Sequence, residues 1–351
     1  MHGRLTRIIT ASLMTIFALG LAASRATAQE KQPHTYLKTK GGFSDGDLKK
    51  LDAGQVVVKL LKTNDDQEVA GIGSVRIKAS EDAAIGAFRD IVTWKKGAGI
   101  KQVGKFGNPA AASDFQSLTF DPKDLQDLQK CKPGDCKLKF SAEEIKRFNA
   151  LNWSAADATQ QADALQRTIL AEEAKDYLTG GMAALPSYND KDKPQDRTAQ
   201  FKALLGNSPY VMQYAPDLDA YLGNYPKESL ENHEDLFVWS QEKFGLKPVT
   251  RLTHLIIWKR AAGGGVGYTI ASKHVYNNHY FQAGLELAGI RGDGQGGFYL
   301  STITRYRVDP ATGMMAGAIR GQIRNGVKEN IQNNLTRIQQ RIETGNGAAS
   351  Q

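Results

Sequence analysis

The order of hydrophobic and polar positions divides the chain into three stretches. In the first, the run Val56-Val57-Val58 within 55–62 predicts one strand. Val69, Gly71, Gly73, Val75 and Ile77, recurring with period two within 69–79, predict a second, joined to the first by an Asn64-Asp65-Asp66 turn. Ser80 caps an expected helix with Ile85, Phe88 and Val92 on one face, and 99–107 reads as a third strand. From Asn108 to about Phe244 the pattern is mainly helical. Asp121-Pro122, Ser141 with Glu144, and Ser154 with Asp157 are helix starts, and Ala158, Ala162, Leu165 and Ile169 follow in register toward Gly180-Gly181. Residues 197–205 form another short helix, and 209–225 read as irregular and partly buried. The third stretch holds four strands, 249–260, 267–275, 281–290 and 298–308, with hairpin-like connections. It closes on an amphipathic helix in which Met315, Ile319, Ile323, Val327, Ile331, Leu335, Ile338 and Ile342 repeat every three or four residues.

If the last four strands pair as simple hairpins, Thr253, Leu255 and Ile257 share a face with Thr269, Ala271, Lys273, Val275, Phe281, Ala283, Leu285, Leu287, Phe298, Leu300, Thr302, Thr304 and Tyr306. That face is almost wholly apolar, and Lys273 is its one amine. An amine there is either an anchor for an anionic group in a cavity or escapes at the sheet rim, and a slip of one residue exchanges it for His274. The other face carries His254, Trp258, Ser272, His274, Glu286, Arg305 and Arg307.

The N-terminus adds a compartment. Arg4 and Arg7 precede an apolar run from Ile8 to Ala23 without an acid, and Ala26-Thr27-Ala28 follows, so 1–28 has the form of a secretory signal cleaved at about Ala28. The protein is therefore expected outside the cytoplasm, periplasmic or secreted, with no membrane span in the mature chain. The net charge of +8 loses three with Arg4, Arg7 and Arg25, which leaves too little, and too dispersed, a basic surface for nucleic acid. Cys131 and Cys136 flank a Pro133-Gly134 turn and read as a local disulfide in an oxidising compartment.

Motif matches weaken against their context. Gly42-Phe43-Ser44-Asp45-Gly46 fits a nucleophile elbow, but only a short lead-in precedes it, so Ser44 reads as a helix cap. Gly292 to Gly297 fits a dinucleotide loop, but a strand follows it rather than a helix. His274 and His279 are five apart across an expected turn and lack a third ligand on the same face, so neither a metal nor any other cofactor is expected.

The strand, the helix from Ser80-Glu81-Asp82-Ala83 to Phe88-Arg89-Asp90-Ile91, the second strand, the antiparallel run and the long last helix together resemble the START-like, or helix-grip, superfamily. The resemblance covers 68–107 and 247–343 and rests on element order. It implies an α+β fold in which a curved antiparallel sheet grips the C-terminal helix. The expected organisation is a signal at 1–28, a lead-in at 29–54, the helix-grip domain at 55–107 and 246–343, a helical insertion at 108–245 and a tail at 344–351. It further implies a cavity between sheet and helix for an apolar, lipid-like small molecule, lined by Lys273, Leu255, Ile257, Leu285, Leu287, Leu300, Thr302, Thr304 and Tyr306. The superfamily has no shared catalytic residue, so none is carried over. Two other readings stay open: an enzyme acting on such a ligand, for which Lys273 with Tyr306 is the one polar pair, and an envelope protein that meets a protein partner through Tyr210, Tyr214, Tyr221 and Tyr225.

Overall fold

The computed structural model describes residues 32–97, 99–243, 247–262, 265–310 and 316–345. The expected signal at 1–28, Met315 of the last helix and most of the tail lie outside the described residues. Eight strands form one antiparallel sheet: β1 (Val57–Leu61), β2 (Glu68–Ile77), β3 (Ile100–Lys105), β4 (His233–Lys243), β5 (Pro248–Ala262), β6 (Gly265–Asn277), β7 (Phe281–Gly292) and β8 (Phe298–Val308), in the order β1-β2-β8-β7-β6-β5-β4-β3. The helices are α1 (Gln32–Thr39), α2 (Asp45–Asp52), α3 (Glu81–Arg89), α4 (Ile91–Lys95), α5 (Pro122–Leu128), α6 (Ala142–Asn149), α7 (Ala158–Gly180), α8 (Arg197–Gly206), α9 (Pro209–Tyr214), α10 (Pro216–Asn224) and α11 (Ala316–Glu343).

The sheet is buried on both sides. One face packs against α3, α4 and α11 through Leu255, Ile257, Ile270, Leu300 and Tyr306, with Trp94, Val327 and Leu335 opposite. The other packs against the middle helices through Ile256, Ala271, Leu285, Leu287 and Ile303, with Tyr177, Phe201 and Leu222 opposite. Burial on both faces explains why the strands read as near-continuous apolar runs, in which alternation is a weak guide to facing.

Local signals account for most element starts. Ser44 caps α2 in a capping box with Asp47, Ser80 caps α3, and Ser141 caps α6 with Glu144. The box at Ser154 does not form; Asp157 stands at the start of α7, without a side-chain cap bond. Gly292–Gly297 closes the β7–β8 hairpin. Cys131 and Cys136 lie at disulfide distance, with Cα atoms 4.4 Å apart.

Three further expectations fail. Residues 209–225, read as irregular, hold helices α9 and α10. The lead-in contains helix α1, whose Leu37 is buried in the core. Residues 233–243, expected within the helical stretch, form β4, which pairs along its length with β5 and also with β3. In His233-Glu-Asp-Leu-Phe-Val-Trp-Ser-Gln-Glu-Lys243 polar residues fall on both faces, because both faces make hydrogen bonds and ion pairs, so no period-two signal survives.

Helix α11 lies close on β2, where the period-two row Val69, Gly71, Gly73, Val75 and Ile77 faces it. A Cβ at Gly73 would stand 2.5 Å from Ile331 Cγ2 and 2.7 Å from Leu335 Cδ1, and one at Gly71 2.7 Å from Ile331 Cδ1. The missing side chains set how near the helix approaches. Gly73→Val is expected to cost about 3 kcal/mol by overpacking. Denaturant unfolding tests this, and a loss below about 1 kcal/mol would show that the helix moves off easily.

Candidate functional site

Between α11, the α3–α4 pair and the sheet lies a cavity of about 630 Å3, a size that suits a small molecule. Its apolar lining is Phe88, Ile91 and Trp94 from α3 and α4, Leu255 and Ile270 from the sheet, and Ile323, Ile331, Leu335 and Ile338 from α11, which also presents Gln322, Asn325, Glu329, Asn330, Asn333, Asn334 and Arg337. Its floor is polar. Arg251 of β5, only 2% exposed, has its Nη1 3.3 Å from Glu242 Oε2, 3.7 Å from Glu286 Oε1 and 3.4 Å from His274 Nε2. Glu242 also takes Lys95 Nζ at 2.7 Å and the Ser240 hydroxyl at 2.7 Å. Tyr306 donates its hydroxyl to Glu286 Oε1, and His274 Nε2 stands 3.4 Å from the same atom.

Register explains why these side chains meet. Thr253 pairs with His274, Ser272 with Glu286, and Glu286 with Thr304, so β6, β7 and β8 turn their even positions toward α11, while β5 does so with its odd ones, Arg251 and Thr253. His274 lies flat against the sheet: a Cβ at Gly284 would overlap its ring.

Burial and neighbouring charge set the protonation states. Burial pushes the His274 imidazole down to about 4 and the Arg251 charge pushes the same way, against the pull of Glu286. His274 is thus neutral at pH 7. For Glu286, burial acts upward but is outweighed by His274 and Arg251, which hold the carboxyl at about 2. Glu242 is held well below the carboxylate range, the Arg251 and Lys95 charges overcoming burial. The floor therefore holds two carboxylates against two cations.

The expected lining divides between the two faces. Leu255, Thr302 and Thr304 line this cavity, and Ile257, Leu300 and Tyr306 are buried on the same face. Lys273 does not face it, nor do the side chains of Leu285 and Leu287, although Leu287 also borders the cavity where β7 crosses. The reason is register. The β5–β6 hairpin pairs Leu255 with Ser272 and Ile257 with Ile270, an odd position against an even one, which inverts β6 relative to β5. The β7–β8 hairpin pairs Leu285 with Arg305 and Leu287 with Ile303, so β7 is inverted as well.

Lys273, 1% exposed, instead lies among the middle helices. Its Nζ donates to the Leu222 carbonyl at 2.7 Å and sits 4.4 Å from the Phe201 ring centre and 5.4 Å from that of Tyr177. Burial brings its amine down to about 7. The pairing of Lys273 with Tyr306 thus does not occur. No family model matches the sequence, and a search of curated proteins finds no match either. The site therefore has to be read from its own chemistry.

Arg251, His274, Glu286 and Glu242 were absent from the expected lining. Arg251 was recoverable, because it continues the odd row of Thr253, Leu255 and Ile257. Glu242 was not, because its strand was unrecognised. Among the described residues no group of three or more His, Cys, Asp or Glu side chains could hold a metal ion, and no helix is long and apolar enough to cross a membrane.

The other polar clusters hold helices to the sheet. His254 Nε2 lies 2.8 Å from Asp235 Oδ1 and its Nδ1 2.8 Å from the Tyr177 hydroxyl, while His279 Nε2 lies 3.0 Å from the Asp124 carboxylate and its Nδ1 3.0 Å from the Lys137 carbonyl. Arg197, fully enclosed, donates to Glu173 at 2.6 Å and to the Val275 carbonyl at 2.6 Å. On that far face Leu285 and Leu287 border a second, smaller space of about 230 Å3 beside Tyr36 and Tyr210. The expected aromatic patch is reduced, since Tyr221 is buried and bonded to Asp235. Met212 and Tyr214 are the exposed large hydrophobic side chains there, 52% and 42% exposed.

Proposed function

We propose that this is an exported protein that binds or carries a mostly apolar small molecule between its C-terminal helix and its sheet. The cavity of about 630 Å3, into which α3, α4, the sheet and the isoleucines and leucine of α11 bring an apolar lining, carries this reading. The element order and the position of α11 over β2 support kinship with the START-like, helix-grip proteins. In that kinship the helices between β3 and β4 are an insertion that covers the far face of the sheet. Export rests on the signal-like pattern of the first 28 residues.

The polar floor adds a feature that an apolar carrier does not need. Arg251 and Glu242 form a buried ion pair on one wall, with the part-exposed Glu286 beside them, an arrangement kept at a cost in stability. That observation favours a second reading, an enzyme acting on the ligand, with His274, Glu286 and Tyr306 as the polar groups in reach.

Native mass spectrometry of protein purified from the exported fraction, followed by solvent extraction, tests the proposal. The expected spectrum shows a chain beginning at Gln29 and a near-stoichiometric adduct that solvent extracts as an apolar molecule. A protein retained inside the cell with its first 28 residues refutes export. A bare mass that stays unchanged on incubation with extracted cellular lipids refutes carriage.

A further inference from the structure

The opposite face of the sheet carries a second opening of different chemistry, under α1 and α9. Its larger part, about 340 Å3, is bounded by Tyr36 of α1, Tyr210 and Tyr214 of α9, and Tyr268 and Tyr299 of the sheet. It adjoins the space of about 230 Å3 beside Leu285, with which it shares Tyr36 and Tyr210 above and Leu287 and Ile303 below. Register makes the floor. On this face β7 turns its odd positions, so that Leu287 pairs with Ile303, and Gly289 pairs with Ser301 on one side and Thr269 on the other. Gly289 leaves its place in that row bare: a Cβ there would meet only the Ser301 carbonyl oxygen, at 4.0 Å. A missing side chain thus makes the room, and Tyr214, 42% exposed, stands at the rim.

The roof is aromatic. Tyr36 meets Tyr210 and Tyr214 edge to face, with ring centres 5.5 and 5.6 Å apart, and Tyr210 lies 5.8 Å from Tyr214. Rings fixed in this way offer faces and edges to a flat ring placed among them. Aromatic faces alone would also attract a cation. Charge decides against one, because the side chains lining the two spaces include Lys40, Lys62, Arg291 and Arg305 and no carboxylate. The carboxylates of Glu68 and Asp52 stand behind that lining, engaged by Arg305 and by the Tyr299 hydroxyl. Arg291 acts on Glu81 from a distance, whereas among the described residues Lys40 and Lys62 pair with no acid. Lys40, Lys62 and Arg305 gather at the smaller space, so the opening has an aromatic end and a basic end.

We infer that this opening is a binding site for a small aromatic acid, its ring among Tyr36, Tyr210 and Tyr214 over Gly289 and its carboxylate toward Lys40 and Lys62. The site is separate from the cavity under α11 and does not depend on what that cavity holds.

Calorimetric titration of the purified protein at pH 8 with 2-naphthoate, with its saturated counterpart decahydro-2-naphthoate and with the neutral 2-naphthalenemethanol tests ring and charge separately. The aromatic acid is expected to bind at least about fivefold more tightly than either of the others. Gly289→Val fills the floor and is expected to weaken 2-naphthoate at least about tenfold. Valine suits a strand, so the melting temperature should not fall. Replacing both lysines, Lys40→Gln with Lys62→Gln, is expected to weaken 2-naphthoate about fivefold and to leave the alcohol unchanged. Binding of 2-naphthoate that survives Gly289→Val undiminished would place the ligand elsewhere, under α11 for instance, and overturn the inference. Equal or tighter binding of the alcohol or the saturated acid would overturn it as well. So would an absence of 2-naphthoate binding at about 1 mM, which would leave the reading of the α11 cavity untouched. If Gly289→Val does not fold, the lysine pair, which is exposed, and the comparison of the three ligands in the unmodified protein decide the matter.

Discussion

Arg251→Met is expected to lower stability by about 3–5 kcal/mol at pH 7, because it leaves two carboxylates without the cation that both depend on. Arg251 is 2% exposed and stands between Glu242 and Glu286. With the guanidinium in place, the folded Glu286 carboxyl lies at about 2, below its ordinary 4.5. Its contribution is present above pH 4.5 and is lost as the pH falls from there toward 2. His274 acts in the same sense: its folded value of about 4 lies below the ordinary 6.5, so its contribution is lost between pH 6.5 and 4. The unmodified protein should therefore weaken steadily as it is acidified below pH 6.5. In Arg251→Met, Glu242 and Glu286 repel each other and their carboxyls rise, so protonation favours the folded state. The deficit should accordingly shrink between pH 7 and pH 4.5. Denaturant unfolding across that range tests both statements, and a deficit under about 1 kcal/mol at pH 7 would mean that the cluster is not held by Arg251.

Lys273→Met is expected to have the opposite sign, a gain of about 2 kcal/mol at pH 7. The folded amine lies at about 7 against 10.5 when exposed, with burial as the cause. At ~1.4 kcal/mol for each tenfold, that gap is worth about 5 kcal/mol against the folded state. The hydrogen bond to the Leu222 carbonyl and the ring contacts with Phe201 and Tyr177 offset ~3 kcal/mol of it. Between pH 7 and 10.5 the unfolded chain holds the proton that the folded one has released. The stability of the unmodified protein should therefore rise with pH across that window, by the linkage between proton binding and folding. The methionine variant should lose this rise. A variant less stable than its parent at pH 7 would show that the buried amine is a net stabiliser, held by its aromatic neighbours.

The inverted side of Lys273 also shows what the sequence could and could not convey. Periodicity placed seven of the eight strands, the capped helices α2, α3 and α6, and the long last helix. The facing of β2, β5 and β8 was legible because Val69 to Ile77, Thr253 to Ile257 and Leu300 to Tyr306 alternate with few exceptions. The facing of β6 and β7 was not. In Ala271-Ser272-Lys273-His274-Val275 neither parity is apolar, and the decision falls to the hairpin, where one residue of offset moves every side chain across the sheet. The cavity floor was hidden for the same reason. Its members Arg251, His274, Glu242 and Glu286 look like outward-facing residues until they are seen to satisfy one another, which a linear pattern does not record. The α+β class, with its antiparallel sheet and long C-terminal helix, was thus readable, and the polar cluster on the sheet was not.

A crystal structure of the mature protein with the molecule it retains on purification tests the ligand cavity most directly. Density enclosed by Trp94, Ile270, Thr302 and Ile331 is the predicted result. Density on the far face beside Tyr36, Tyr210 and Leu285, with the space under the C-terminal helix filled by collapsed side chains, would contradict it.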